Sequence, residues 1–372
     1  MSQVFYRKYR PRLFSEVIGQ ETIVKTLTNA LKAGSVSHGY LFSGPRGSGK
    51  TTIARLFAKS LNCEKRKPDE FEPCNQCNSC QEINTGRAID LIEIDAGSHR
   101  GIDEMRELKE GIGFSPTRSK YKVFIIDESH QLTKEAANAL LKTLEEPPAH
   151  AILILATTEI HKMIPTIISR CQRFDFKRFK LPEIIKRLEI ICEKEGIKID
   201  KDALEIIALN SGGALRDAES ILDQAATFSS ELNKKEITIK AQNLRDLLGL
   251  VETKKISRLA GLLATKKAAA AISFLNEIFD QGADLQQFAG ELINYLHAAL
   301  LYKIGGEELH DPLTDGLTDE EFGALKTLAT SFQEIELHKL INLLLDGQQK
   351  MKTSPILQLP LELAIAEFCD VK

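Results

Sequence analysis

The chain has 372 residues, of which 43% are hydrophobic and 27% charged, and a formal net charge of −3. That length is enough for two or three domains with cores of their own, and the balance excludes a disordered, fibrous or globally basic nucleic-acid-binding protein. No apolar stretch reaches membrane-spanning length, and Met1 to Lys8 lack the apolar core of a signal peptide, so a cytoplasmic location without a membrane partner is expected. Any DNA contact would have to come from local clusters such as Arg7, Lys8, Arg10 and Arg12, or Lys177, Arg178 and Lys180, and such clusters are more often solvated faces.

The first predicted element is a helix with Ile23, Val24, Leu27, Ala30 and Leu31 on its apolar face. A strand near 40–43 follows and runs into Gly44-Pro45-Arg46-Gly47-Ser48-Gly49-Lys50-Thr51, which fits G-x-x-x-x-G-K-[ST] and opens a helix over Thr52 to Leu61. Strand, glycine-rich loop and helix are the context a P-loop requires. Glycines at 44, 47 and 49 let successive N–H groups curl around phosphate oxygens at the positive end of the helix. Lys50 is expected to face the β and γ phosphates of ATP, with Thr51 as a ligand of Mg²⁺; Pro45, Ser48 and Thr52 complete the cradle.

Cys63, Cys74, Cys77 and Cys80 come next, in an insertion at about 62–82. The spacing C-x10-C-x2-C-x2-C reads as a four-thiolate Zn²⁺ site, because every position is a thiolate and none is left open for chemistry. Three cysteines at intervals of three also suit an iron–sulfur cluster, and the polar turn formers between them favour zinc. Cys171, Cys192 and Cys369 are expected to be buried small hydrophobes.

Strands follow near 90–95 and 122–127. The second, Val123-Phe124-Ile125-Ile126, is continuously apolar, as a strand covered on both faces should be, and ends in Asp127-Glu128. Asp127 is expected to hold Mg²⁺ through its water shell and Glu128 to align or deprotonate a water. A helix over Glu135 to Glu145 stops at Pro147-Pro148, and strands near 151–157 and 172–176 complete the alternation. This pattern predicts an α/β P-loop NTPase with a parallel five-stranded sheet and its ligand at the carboxyl ends of the strands. After Pro182 strand signals mostly cease. Helices are expected from Leu181, over Asp202 to Asn210, after Gly212-Gly213 and over Leu285 to Ile304, and a Thr318-x-x-Glu321 capping box opens another. The expected domains are a nucleotide-binding domain at 1–178 and two helical domains at 179–242 and 243–372.

Taken together, these motifs resemble the gamma/tau clamp-loader ATPases of bacterial DNA polymerase III, an AAA+ family. Tyr9-Arg10-Pro11, Phe14 and Val17-Ile18-Gly19-Gln20 look like its N-terminal signature. His38 to Gly44 leads into the P-loop as it does there. Asp127-Glu128-Ser129-His130 matches D-E-x-H, with Ser129 in place of a small apolar residue. Ser169-Arg170-Cys171 matches S-R-C, Gly212 to Asp217 matches the sensor 2 motif, and the four cysteines correspond. The match is strong over about residues 3–225.

The resemblance implies that 179–242 is a helical lid and 243–372 a helical oligomerisation (collar) domain, and it implies an adenine pocket at Tyr9, Arg10, Pro11, Val17 and Ile18. It further implies that Arg170 is an arginine finger for a neighbouring subunit's ATP, that Arg216 touches the γ-phosphate in cis, and that Thr157 or, preferably, Thr158 is the polar sensor 1 residue. The family's delta prime relatives keep S-R-C with a degraded P-loop, whereas this chain retains Gly44, Gly49, Lys50, Thr51, Asp127 and Glu128. It therefore reads as a motor that uses ATP to load a sliding clamp onto primed DNA. The implied partners are delta- and delta prime-type subunits, further copies of itself, the clamp and DNA phosphates, with contact to the polymerase core left open. Nothing resembles a nucleotidyl-transfer site. Two rival readings stay open at this point, another AAA+ motor such as a branch-migration helicase and a non-hydrolysing scaffold.

Overall fold

The computed structural model describes residues 3–98, 111–232, 237–248, 253–306 and 319–369. Five short strands pair as a wholly parallel sheet in the order β2-β3-β4-β1-β5. They are β1 (Gly39–Ser43), β2 (Leu91–Asp95), β3 (Lys122–Asp127), β4 (Ala151–Thr157) and β5 (Gln172–Asp175). Alternation along each strand divides the side chains between two layers. After the short N-terminal α1 (Phe5–Lys8), Tyr40, Phe42, Val123, Ile125, Ile152 and Ile154 join one buried cluster with Ile23, Leu27, Ile53 and Phe57 from α2 (Glu21–Ala33) and α3 (Lys50–Leu61). Leu41, Phe124, Ile126, Leu153 and Leu155 join the other with Ala136, Leu140 and Leu144 of the helix at Lys134–Glu145 and Ile167 of the turn at Pro165–Ile168.

The central strands β1, β3 and β4 are buried on both faces, whereas the edge strands β2 and β5 are not, and every strand ends in a polar residue at its carboxyl end. Register places Asp95 beside Asp127 and Ser43 beside Thr157, so one edge of the sheet collects the ends of β1, β3 and β4. A helix at Asn78–Thr85 lies in the cysteine insertion, which leaves α3 and returns to β2.

The chain divides into two compact units: residues 1–195 with 210–224, and residues 196–209 with 225–372. The first holds the sheet and the helix at Leu181–Glu195. The second contains a feature that the sequence reading did not anticipate, a parallel pairing of Lys198–Ile199 with Thr238–Ile239, too short to leave a periodic signal. Its main core comes, among the described residues, from six helices between Thr253 and Cys369, in which Phe288, Leu337, Leu340, Ile365 and Phe368 are nearly or fully inaccessible. The helix at Leu285–Gly305 is capped by Asp284, whose carboxylate accepts from the amides of Gln286 at 2.8 Å and Gln287 at 3.1 Å. Thr318 of the anticipated capping box lies outside the described residues. No helix among the described residues is long and apolar enough to cross a membrane.

Candidate functional site

The loop between β1 and α3 wraps around its own lysine. Lys50 is buried, and its ammonium donates to the carbonyls of Gly44 at 2.8 Å and Pro45 at 2.9 Å. Burial holds the Lys50 pKa below the ordinary lysine value, with Asp127 and Glu128 pulling the other way. Two glycines here are sterically required. Gly44 has φ +148°, and a Cβ there would lie 2.4 Å from the carbonyl oxygen of Phe176; Gly47 has φ +75°, and a Cβ there would lie 2.5 Å from the Cβ of Ala214. Ala214 immediately precedes the helix at Leu215–Leu232, so the bare backbone of Gly47 lets the start of that helix, with Arg216, approach the loop.

Across the cleft Thr51 Oγ1 donates to Asp127 Oδ2 at 2.8 Å, which brings a hydroxyl and a carboxylate together as hard oxygen donors. Glu128 sits in the left-handed region at φ 48°, an uncommon conformation for a residue with a side chain. Its carboxylate accepts from Thr158 Oγ1 at 3.0 Å and lies 3.5 Å from His130 Nδ1. The two threonines at the carboxyl end of β4 thus part company: Thr157, the last residue of the strand, is buried and bonded to the His130 ring and the Glu159 amide, each at 3.0 Å, whereas Thr158 reaches Glu128. Ser129 is buried and donates to the Ala156 carbonyl at 2.9 Å, so its hydroxyl is accommodated.

The cleft is lined by Gly47, Ser48 and Gly49 of the loop, Lys50, Thr51 and Thr52 of the helix it opens, Asp127 at the end of β3 and Glu128 just after it, Arg10, Pro11, Val17 and Ile18 of the N-terminal segment, and Arg216. Gly44, Pro45, Tyr9, Thr158 and Arg170 are not among its lining residues. Gly44 and Pro45 serve it through their carbonyls. Tyr9 turns its hydroxyl to Glu195 Oε1 at 2.7 Å. Arg170 lies at the amino end of β5, beside Gly39 at the amino end of β1 and so at the opposite edge of the sheet from the P-loop, where it pairs with Glu145 at 2.6 Å and stays partly exposed.

Tyr6, Arg187 and Glu219 also line the cleft, unmarked by any motif, and Gln20 does so from within the N-terminal signature. The Arg216 guanidinium stacks over the Tyr6 ring at 4.9 Å. Gln20 reads out its motif position: its amide donates to the Lys177 carbonyl at 2.7 Å and the Ser48 carbonyl at 3.3 Å, strapping the loop to the chain that leaves the sheet. Arg187 and Glu219, both buried, pair at 2.7 Å, and Arg187 also donates to the Tyr9 carbonyl. Burial raises the Glu219 pKa, against the pull of Arg187. A signal for Arg187 existed, since it falls three residues after Ile184 and one before Leu188 on an otherwise apolar helix face. Its partner, on another helix, had none.

The four cysteine sulfurs all lie within 4.8 Å of one another, with Cys74 and Cys80 at 4.0 Å. Four thiolates around one tetrahedral ion at Zn–S distances of about 2.3 Å would sit roughly 3.8 Å apart, so the donor set fits with little movement. Burial pushes the Cys74 thiol up, but amides of Gln76 at 3.4 Å and Cys77 at 3.3 Å and the neighbouring thiols outweigh it and lower the pKa to about 6. Cys63 and Cys80 are raised by burial. Cys171 and Cys192 are packed among apolar groups, with thiols raised to about 12 and about 11 by burial.

Comparison with known proteins assigns the family. A model described as DNA polymerase III, delta subunit, matches residues 19–180; one for the clamp loader subunit ATPase lid domain matches 183–231; and one for subunits gamma and tau domain III matches 239–372. The chain is 43% identical over 368 residues to DNA polymerase III subunit tau of Bacillus subtilis, covering 99% of this chain and 63% of that one. It is 36% identical over 364 residues to subunit gamma of Buchnera aphidicola from Acyrthosiphon pisum, covering 98% and 97%. The chain belongs to the DNA polymerase III gamma/tau family. A solved structure of a RuvB variant from Thermotoga maritima shares the fold at 18% identity, with a TM-score of 0.50 over 68% of this chain and 78% of the other. Against tau, this gamma/tau chain spans somewhat under two thirds of the relative's length.

Proposed function

We propose that the chain is the ATPase motor subunit of a clamp loader, part of a DNA polymerase III holoenzyme but without polymerase chemistry of its own. The observation that carries this reading is the convergence of Lys50, Thr51, Asp127 and Glu128 in one cleft walled by Arg216 and the N-terminal segment, in a chain of the gamma/tau family. Lys50 would leave the loop carbonyls for the β and γ phosphates of ATP, and the loop amides would bind the remaining oxygens. Thr51 and Asp127 would hold Mg²⁺, which neutralises charge on the β and γ oxygens. Arg10, Pro11, Val17 and Ile18 would take the adenine, with Tyr9 behind them.

Glu128 would accept the proton of, or align, the attacking water, and Thr158, bonded to that carboxylate at 3.0 Å, would set its direction. Arg216 would respond to the γ-phosphate by leaving Tyr6. Arg170 faces away from its own cleft, which supports a role in a neighbour's site. Zinc would close the Cys63, Cys74, Cys77 and Cys80 knuckle as a structural centre. The three functional segments would be 1–178, 179–242 and 243–372, a division supported by family matches that break at 180–183 and 231–239.

ATP and ADP states would differ in affinity for delta- and delta prime-type subunits, for further copies of the chain, and for the sliding clamp on primed DNA in the cytoplasm, and that difference would couple hydrolysis to loading. The deciding experiment measures ATP hydrolysis by the reconstituted assembly with and without clamp and primed DNA. Stimulation by the two together is expected. Hydrolysis indifferent to the clamp would point to another kind of motor, and tight nucleotide binding without turnover to a scaffold.

A further inference from the structure

Residues 10–18 form one wall of the nucleotide cleft, yet the segment belongs to no strand, and its only helical turn is the short one at Phe14–Glu16. Its backbone is held from behind by the cysteine knuckle. Glu72, two residues before Cys74, accepts from the amides of Phe14 at 2.7 Å and Ser15 at 2.8 Å. Phe71 packs on Phe14 with ring centres 6.3 Å apart. Asn75, between Cys74 and Cys77, takes a left-handed conformation at φ 55° and donates to the Arg12 carbonyl at 3.2 Å. That carbonyl also accepts from Lys59 at 2.9 Å, and the same ammonium bonds the side-chain oxygens of Asn75 at 2.7 Å and Asn84 at 2.8 Å.

Lys59 is 2% exposed. A buried ammonium is costly unless every proton is bonded, and its three partners are Arg12 of the wall segment, Asn75 within the knuckle and Asn84 just after it. Lys59 stands on α3, the helix that begins with Lys50, so knuckle, P-loop helix and cleft wall meet at one buried charge.

We propose that the four-cysteine knuckle is a positioning element of the nucleotide cleft, with Glu72 and Lys59 as the positioning residues that hold Arg12 to Ser15 in place. The inference rests on the reading of the cleft as a nucleotide site. When the knuckle is closed around its ion, Asn75 and Glu72 are fixed and Arg10, Pro11, Val17 and Ile18 are pre-ordered for the base. When it opens, by loss of the ion or by thiol modification, the wall has to be ordered at the moment of binding, and affinity falls by that cost. Nucleotide affinity thereby becomes sensitive to zinc and to thiol chemistry at residues that never touch the nucleotide.

The test titrates a fluorescent ADP analogue into the full chain and its Glu72→Ala variant, each metal-loaded and after treatment with a mercurial and a chelator, with metal content and helical circular dichroism recorded alongside. Metal-loaded Glu72→Ala is expected to raise the Kd about tenfold, the scale of losing charge-assisted bonds to a binding wall, with its zinc retained and with turnover at saturating ATP unchanged. Metal removal from the unsubstituted chain is expected to raise the Kd by a similar factor, and removal from Glu72→Ala to add little, because both break the same tie. Wild-type Kd in metal-loaded Glu72→Ala, no change on metal removal, or two effects that multiply would each overturn the proposal. Should metal removal unfold the chain, the metal-loaded Glu72→Ala arm decides alone. Lys50→Ala serves as the separate control: if it binds as tightly as the unsubstituted chain, the cleft is not a P-loop nucleotide site, and that reading fails independently of the knuckle.

Discussion

Lys50 and Glu128 should fail in different ways, because one faces the phosphates and the other a water. Lys50→Ala removes the buried charge, and loss of tight ATP binding is expected, on the order of 10²-fold or more in Kd by equilibrium titration. Glu128→Gln keeps shape and left-handed backbone, so binding should persist while single-turnover hydrolysis falls by about 10²-fold or more. Unchanged turnover in Glu128→Gln would remove that carboxylate from the chemistry. The Glu128 conformation is a local conflict between residue type and backbone that nothing in the sequence announced. It follows from β3 ending at Asp127 while the next turn, Ser129–Gln131, starts at once.

Loops and strand ends carry the site, so their geometry should be more sensitive than their composition. Gly47→Ala adds one methyl group, but it would meet the Ala214 Cβ at 2.5 Å in a backbone region unfavourable to side chains. Its expected result is a stability loss of about 1–3 kcal/mol in urea unfolding and weakened nucleotide binding as the start of the Leu215 helix is pushed off the loop. Asp90, buried just before β2, makes a second such case. Burial pushes its carboxyl up, but amides of Thr117, Arg118 and Ser119 at 2.7, 2.9 and 2.9 Å outweigh it and hold it below the usual aspartate value.

A carboxyl whose folded pKa is depressed contributes stability above its unfolded value of about 3.9 and loses it as pH falls through the folded one. Asp90→Asn should therefore cost roughly 1–3 kcal/mol at pH 7, and the gap should narrow as pH is lowered past about 4. A gap that stays constant with pH would show that the carboxylate is not what ties the loop before β3 to β2.

Arg170 can be judged only in an assembly. Within its own chain it pairs with Glu145 at the far edge of the sheet, and as a simple surface ion pair it would be worth about 1 kcal/mol or less. As a finger for a neighbour, Arg170→Ala should keep folding and its own nucleotide affinity and lose stimulated hydrolysis by about 10²-fold or more. Mixing Arg170→Ala with Lys50→Ala chains then tests direction: a working site needs its own Lys50 and a neighbour's Arg170, so mixed assemblies should recover part of the activity that neither variant has alone. Activity that never rises in a confirmed mixed assembly would exclude the trans role.

What was legible in the linear order is what local chemistry dictates. The P-loop, the apolar strands with their acidic ends, the alternation that makes a parallel sheet and the four closely spaced cysteines each announce themselves within a few residues, because backbone curvature, two-sided burial and metal ligation impose residue types at short range. The parting of Thr157 from Thr158, the Arg187–Glu219 pair, the stacking of Tyr6 on Arg216 and the junction at Lys59 were decided only when distant segments met. Such groups are chosen by a partner tens of residues away, and a buried charge gains its meaning from the atoms that satisfy it, which no local spacing records.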